Sequence, residues 1–199
     1  KIFGEELKLT EASLFLFKAI LDIVSVAILI TFFFRLLKVD YYNPIVQGML
    51  RLVDIVTSRL RLLIKPIFSI DLASLLMVIL FQALCFYVIS LSGNASFTLV
   101  TMFSWSLFSV LLLGIRIAFW ALILGIVISW VAPMSTHPAV RLLQQMSDQI
   151  CKPFRRFLPP MGGLDFSPIL AFVILEFLNR ALINIAFGTG LPISLSVGY

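Results

Sequence analysis

The chain has 199 residues, of which 61% are hydrophobic and only 13% charged, with a formal net charge of +5. Soluble domains are about half apolar and a quarter charged, so this composition excludes an ordinary water-soluble globular domain. The apolar residues form continuous runs rather than alternating. That argues against a membrane β-barrel and for an all-α, multi-pass membrane protein, whose spans need roughly twenty apolar residues each.

In chain order, the first run, LFLFKAILDIVSVAILITFFFRLL, predicts a span over roughly Ser13–Leu37. It has no small-residue cleavage site of the kind a signal peptide carries, so it is expected to stay as an anchor. The chain opens at Lys1 rather than Met, which leaves the native start open. A helix with a polar stripe is expected over roughly residues 44–64, because Gln47, Arg51, Asp54, Ser58, Arg61 and Lys65 recur at steps of three and four. The second span is expected over Leu72–Leu91. The third is placed at Ser104–Val131, bounded by Trp105 and Trp130, with Phe97–Met102 as an interfacial lead-in. Ala139, Leu142, Leu143, Met146 and Ile150 form the apolar stripe of a second interfacial helix, 138–151. A fourth span follows at Phe166–Phe187.

The long connections carry the cations: Lys38, Arg51, Arg59, Arg61 and Lys65 in one, Arg141, Lys152, Arg155 and Arg156 in the other. The positive-inside rule puts both in the cytoplasm and the termini in the periplasm. One offset of 94 residues pairs Pro44 with Pro138, Val46 with Val140, Asp54 with Asp148, Arg61 with Arg155, Pro66 with Pro160 and Asp71 with Asp165. The expected architecture is therefore two parallel repeats, 1–94 and 95–199. Each has two transmembrane helices joined by a cytoplasmic interfacial amphipathic helix, and an axis along the membrane normal relates them. In KPFRRFLPPMGGLDFSPI (Lys152–Ile169), the prolines stop and restart helices while Gly162 and Gly163 allow a tight reversal. Asp165 or Ser167 is expected to cap the fourth span with Pro168 at its first position, and Asp71 is expected to cap the second.

That stretch, the preceding HPAVRLLQQMSD and the earlier DYYNPIV (Asp40–Val46) resemble the YggT family of bacterial inner-membrane proteins, which includes the YlmG-type proteins of other bacteria and chloroplasts. The resemblance covers nearly the whole chain, in the two-copy form of proteobacteria. The second copy is the more specific; the first keeps Arg59, Arg61, Lys65 and Pro66 but lacks the Gly-Gly pair, and His137 stands where the family usually has a polar residue. What the resemblance implies is an inner-membrane protein linked to osmotic or ionic stress tolerance, to cell division and nucleoid organisation or, in chloroplasts, to cytochrome b haem attachment. That spread points to scaffolding or assembly rather than to one reaction.

Ionisable residues inside spans are functional candidates. Asp22, Arg116, Glu176 and Arg180, with Asn179, are expected to form one buried charge network. Glu176 and Arg180 stand at the favoured i, i+4 spacing. Gly114, Ala118, Ala121 and Gly125 form a small-residue stripe that permits close helix approach. Arg59, Arg61, Lys65, Lys152, Arg155 and Arg156 are expected at anionic lipid headgroups.

No phosphate loop, zinc-protease motif or nucleophile elbow is present, so no enzymatic activity is expected. A single histidine and the two cysteines, Cys85 and Cys151, outside any CxxC pattern, lead to an expectation of no cofactor and no metal. Expected partners are anionic lipids and other membrane subunits or further copies of the chain. Nucleic acid is not expected, because the cations lie close to span ends. Three function classes follow: a scaffold or accessory factor first, then an ion or osmolyte transport component using the intramembrane charges, then an anionic-lipid-binding organiser of the membrane.

Overall fold

The computed structural model describes residues 2–64, 70–91, 98–158 and 165–191, with the backbone alone for 2–11 and 91. Six α-helices follow in order: α1 (Ile2–Leu36), α2 (Pro44–Leu63), α3 (Leu72–Leu91), α4 (Leu99–Val131), α5 (Pro138–Cys151) and α6 (Ser167–Gly188), with a short 3-10 turn at Phe154–Arg156. α1, α3, α4 and α6 are long and apolar enough to cross a membrane.

Helix starts follow local chemistry. Asn43 caps α2 by accepting from Ile45 N–H at 2.9 Å, and His137 caps α5 by accepting from Ala139 N–H through Nδ1 at 3.2 Å. A proline follows each cap, in the first turn where its missing N–H costs nothing. The lone histidine is thus a helix cap. α1 ends with Lys38 in the left-handed region (φ 51°), and Val39 N–H closes onto Phe34 O.

The helices that carry two of the expected spans run on beyond them. α1 begins at Ile2, because nothing between there and Ser13 breaks a helix. α4 begins at Leu99, where Thr98 caps it by accepting from Thr101 N–H. Leu99–Met102 is therefore helix rather than lead-in, while Phe97 lies outside the described residues. Trp105 is not a lipid-facing anchor. It is 6% exposed, meets Phe86 edge-on and donates its indole N–H to Thr189 O at 3.3 Å. A buried indole needs such an acceptor. Trp130 is 81% exposed.

The core centres on α4, which packs against α3, α5 and α6. One cluster joins Ile28, Leu29 and Phe32 of α1 to Val53, Val78, Val110 and Leu113. A second joins Phe34, Val46, Leu50, Ala121, Leu142 and Met146, which brings α1, α2, α4 and α5 to one place. Beside it, Asn43 Nδ2–H donates to Pro138 O at 2.8 Å and Asp40 N–H donates to Gln145 Oε1 at 3.1 Å.

The small-residue stripe does not serve one neighbour. Gly114 faces Leu29 and Phe33 of α1, while Gly125 lies against Leu143 and Ser147 of α5; Ala118 and Ala121 between them are buried. A Cβ at Gly125 would come 2.3 Å from Ser147 Cβ and 3.1 Å from Leu143 O. At Gly114 it would meet nothing closer than 3.8 Å. Gly125→Ala is accordingly expected to destabilise by about 1–3 kcal/mol through overpacking, whereas Gly114→Ala should be neutral or gain up to about 1 kcal/mol of helix propensity. Thermal midpoints in one detergent compare the two.

Candidate functional site

The charged residues at the helix ends form two clusters built on one plan. In the first half, Arg61 on α2 pairs with Asp54, about two turns before it, and its Nε–H donates to Asp71 Oδ2 at 3.0 Å. In the second half, Arg155 donates from Nη2 to Asp148 Oδ1 and from Nε to Asp165 Oδ2, both at 2.8 Å. The three members of each set stand 94 residues from their counterparts. Each arginine thus ties the more polar helix (α2 or α5) to the start of the next apolar helix (α3 or α6).

The clusters differ in one member. Arg35, in the last turn of α1, also donates to Asp54 Oδ1 at 3.2 Å and pairs with Asp71 Oδ2. Its counterpart at the end of α4 is Ser129. The first cluster is more deeply set: the Asp71 side chain is 6% exposed against 30% for Asp165, and Asp54 is 45% exposed against 65% for Asp148.

The caps follow from the same aspartates. Asp71 Oδ1 accepts from Ser74 N–H at 3.2 Å while Oδ2 accepts from the Ser74 hydroxyl at 2.8 Å. Asp165 Oδ1 accepts from Ser167 N–H at 2.9 Å. The cap position of α6 is occupied by Phe166, which makes no side-chain cap bond, so Ser167 is the first helical residue and Pro168 the second, not the first. Gly162, Gly163 and Lys65 lie outside the described residues.

Burial works against ionisation of Asp71, but the Ser74 hydroxyl and N–H, Arg61 and Arg35 outweigh it and hold the carboxyl below its ordinary value. Asp165 is lowered in the same way, against a smaller burial, by Ser167 and Arg155. The bond to Asp148, against burial, keeps Arg155 firmly charged with help from Asp165. Burial pushes the Cys151 thiol up, which leaves it protonated and unreactive. Of the cations expected at headgroups, Arg61 and Arg155 are committed to these ion pairs, while Arg59, Lys152 and Arg156 are exposed.

The intramembrane charges divide into two groups rather than forming one network. Asp22 is held by Lys18 at 2.5 Å and by Gln82 Nε2–H at 3.2 Å, between α1 and α3. Arg180 and Glu176 pair at 2.7 Å along α6, with Arg180 76% exposed and therefore not buried. Arg116, Glu176 and Asn179 line a cavity of about 330 Å³ with Ile115, Phe119 and Trp120, and Asp22 is not part of that lining. The reason is rotational: Arg116 points toward α6, whereas Asp22 finds a same-helix partner one turn away. Sequence reasoning missed Lys18, Gln82 and Arg35. Lys18–Asp22 carries an i, i+4 signal; Arg35 is marked by charge in the last turn of an apolar run; Gln82 is a lone polar residue in one.

A second, larger cavity of about 670 Å³ opens beside the second cluster. Its lining includes Ser129, Trp130, Asp148, Cys151, Arg155 and Asp165. Among the described residues no group of histidine, cysteine and acidic side chains is arranged to hold a metal ion.

Two expected outcomes follow from the clusters. Asp71→Ala should cost about 1–3 kcal/mol, since it removes the acceptor of the Ser74 N–H and hydroxyl and leaves Arg35 and Arg61 sharing Asp54 alone, and Asp165→Ala about 1 kcal/mol, as read by thermal unfolding in detergent. Both carboxyls are lowered, so their contribution is complete above about pH 4 and is lost as pH falls through their lower folded values. An acid titration by circular dichroism should show this loss, and Asp71→Asn should reduce it.

A model of the CCB3/YggT family matches residues 104–186. A protein of Pseudomonas aeruginosa, uncharacterized by name, is 34% identical over 193 residues, 95% of this chain and 98% of its own length. YggT of Escherichia coli K12, also uncharacterized by name, is 28% identical over 185 residues, 88% of this chain and 92% of its own. The chloroplastic YlmG homolog protein 2 of Arabidopsis thaliana is 43% identical over 55 residues, 28% of this chain and 22% of its own. No solved structure matches the chain. Near-full-length similarity, together with a family model that falls on the half with the more specific motif, establishes that this chain belongs to the YggT family.

Proposed function

We propose that the chain is a non-catalytic scaffold or accessory subunit of the bacterial inner membrane that docks another membrane protein on the α6 face. It would sit as two repeats, with both basic connections cytoplasmic and the termini periplasmic. The observation that carries this reading is the Glu176–Arg180 pair on α6, with Arg180 76% exposed beside Val173 at 55% and Phe177 at 68%. A charge at the centre of a span costs roughly 2.5–3.5 kcal/mol on insertion scales. A partner helix offering polar groups would offset that cost, and lipid chains would not. The family's links to stress tolerance and envelope organisation fit an assembly role. The exposed Leu52, Ile55, Leu62 and Leu63 on α2, beside Arg51 and Arg59, fit a helix resting at the headgroups.

A photo-crosslinker at Phe177 should capture a specific membrane protein in cells. Capture should fall several-fold in Arg180→Leu and recover when the charges are exchanged (Glu176→Arg with Arg180→Glu). Lipid adducts alone, unchanged by these substitutions, would overturn the docking reading.

The 330 Å³ cavity lined by Arg116, Glu176 and Asn179 favours one other reading, an ion or osmolyte transport component. Reconstituted vesicles should then show a flux that Arg116→Gln reduces at least tenfold. An unchanged flux removes this reading.

A further inference from the structure

The two charge clusters differ in occupancy at the same atoms. In the first, Asp54 Oδ1 and Asp71 Oδ2 each accept from two guanidinium groups, those of Arg61 and Arg35. In the second, the matching Asp148 Oδ1 and Asp165 Oδ2 each accept from Arg155. The first-half carboxylates thus accept from a second guanidinium where the second-half ones accept from Arg155. Two aspartates against two arginines balance in the first cluster; two aspartates against Arg155, with Ser129 in place of Arg35, leave the second one positive charge short.

The 670 Å³ cavity lies where that second cation would be, with Ser129, Asp148, Arg155 and Asp165 in its lining. The cavity is bordered on one side by charged and hydroxyl groups and on the other by Ile126, Trp130, Phe166 and Ile169, so it is polar at one end and apolar at the other.

We propose that this cavity binds the primary ammonium headgroup of an aminophospholipid, which takes the place that the Arg35 guanidinium takes in the first half. The rim decides the source of the cation. Trp130 (81% exposed), Ile169 (63%) and Phe166 (39%) border the opening at the ends of two membrane-crossing helices, where a lipid's glycerol and first methylenes lie. The exposed Lys152 and Arg156, next in the chain to the lining residues Cys151 and Arg155, suit the lipid phosphate. A headgroup ammonium carries three N–H donors for Asp148 Oδ1, Asp165 Oδ2 and the Ser129 hydroxyl oxygen. A choline headgroup carries the same charge with no donors, and a glycerol headgroup carries no cation. The site is distinct from the α6 face and does not depend on the docking reading.

The full chain, delipidated in detergent, is titrated with phosphatidylethanolamine, phosphatidylcholine or phosphatidylglycerol and read by native mass spectrometry. Phosphatidylethanolamine should be retained at least tenfold better than either of the others. Ser129→Arg supplies the missing guanidinium from within, so it should lower that retention at least tenfold while leaving the thermal midpoint unchanged or raised. Asp148→Asn should lower retention by a similar factor and serves if Ser129→Arg fails to fold; Ser129→Ala should change it less than twofold. Equal retention of the three lipids, or retention insensitive to both Ser129→Arg and Asp148→Asn, overturns the proposal. So does a protein subunit found crosslinked through position 130 in place of lipid.

Discussion

Each half of this molecule depends on an arginine held between two aspartates. Arg61 and Arg155 sit near the ends of short helices, and each reaches back to its own element and forward to the aspartate that starts the next long helix. The forward aspartate also accepts the N–H of a residue in that helix's first turn, Ser74 or Ser167, so a single carboxyl serves both the helix start and the arginine. An exposed ion pair is worth little. Here each arginine bridges two carboxylates, one of which also accepts a backbone N–H, which makes the clusters geometric constraints more than sources of stability.

The constraint was legible in the chain because it repeats. The 94-residue offset links the six residues of the two clusters before any contact is known, and alternation of apolar runs with basic connections gives all four long helices. Boundaries were less legible. Leu99–Met102 and the first eleven residues of the chain contain nothing that stops a helix, and apolar length alone cannot show that a helix continues beyond a membrane. Trp105 misled because tryptophan serves interfaces and cores alike, and only the acceptor at Thr189 O separates the two.

Charge partnerships were the least legible part of the candidate site. Lying within apolar runs suggested that Asp22 and Arg116 should join one network, yet membership of a span says nothing of rotation about the helix axis. Asp22 found Lys18 on its own helix and Gln82 across from it, whereas Arg116 faces the cavity beside α6. Arg35 escaped notice because its role depends on residues 19 and 36 positions away. Its value emerges by contrast with Ser129, the position where two otherwise matched clusters part.

The length of α4 has a consequence of its own. Thirty-three residues of helix extend about 50 Å, against a hydrocarbon layer of about 30 Å. Its two ends are defined differently. At the far end stand an exposed Trp130 and the charged cluster around Arg155. At the near end the helix is apolar through its first turns, with Leu99 and Val100 exposed and no charged residue to mark a boundary. With the charged end at the headgroups, as the proposed placement has it, bilayers of different thickness would be absorbed at the Leu99 end. The helix would then be anchored in one leaflet and slide in the other.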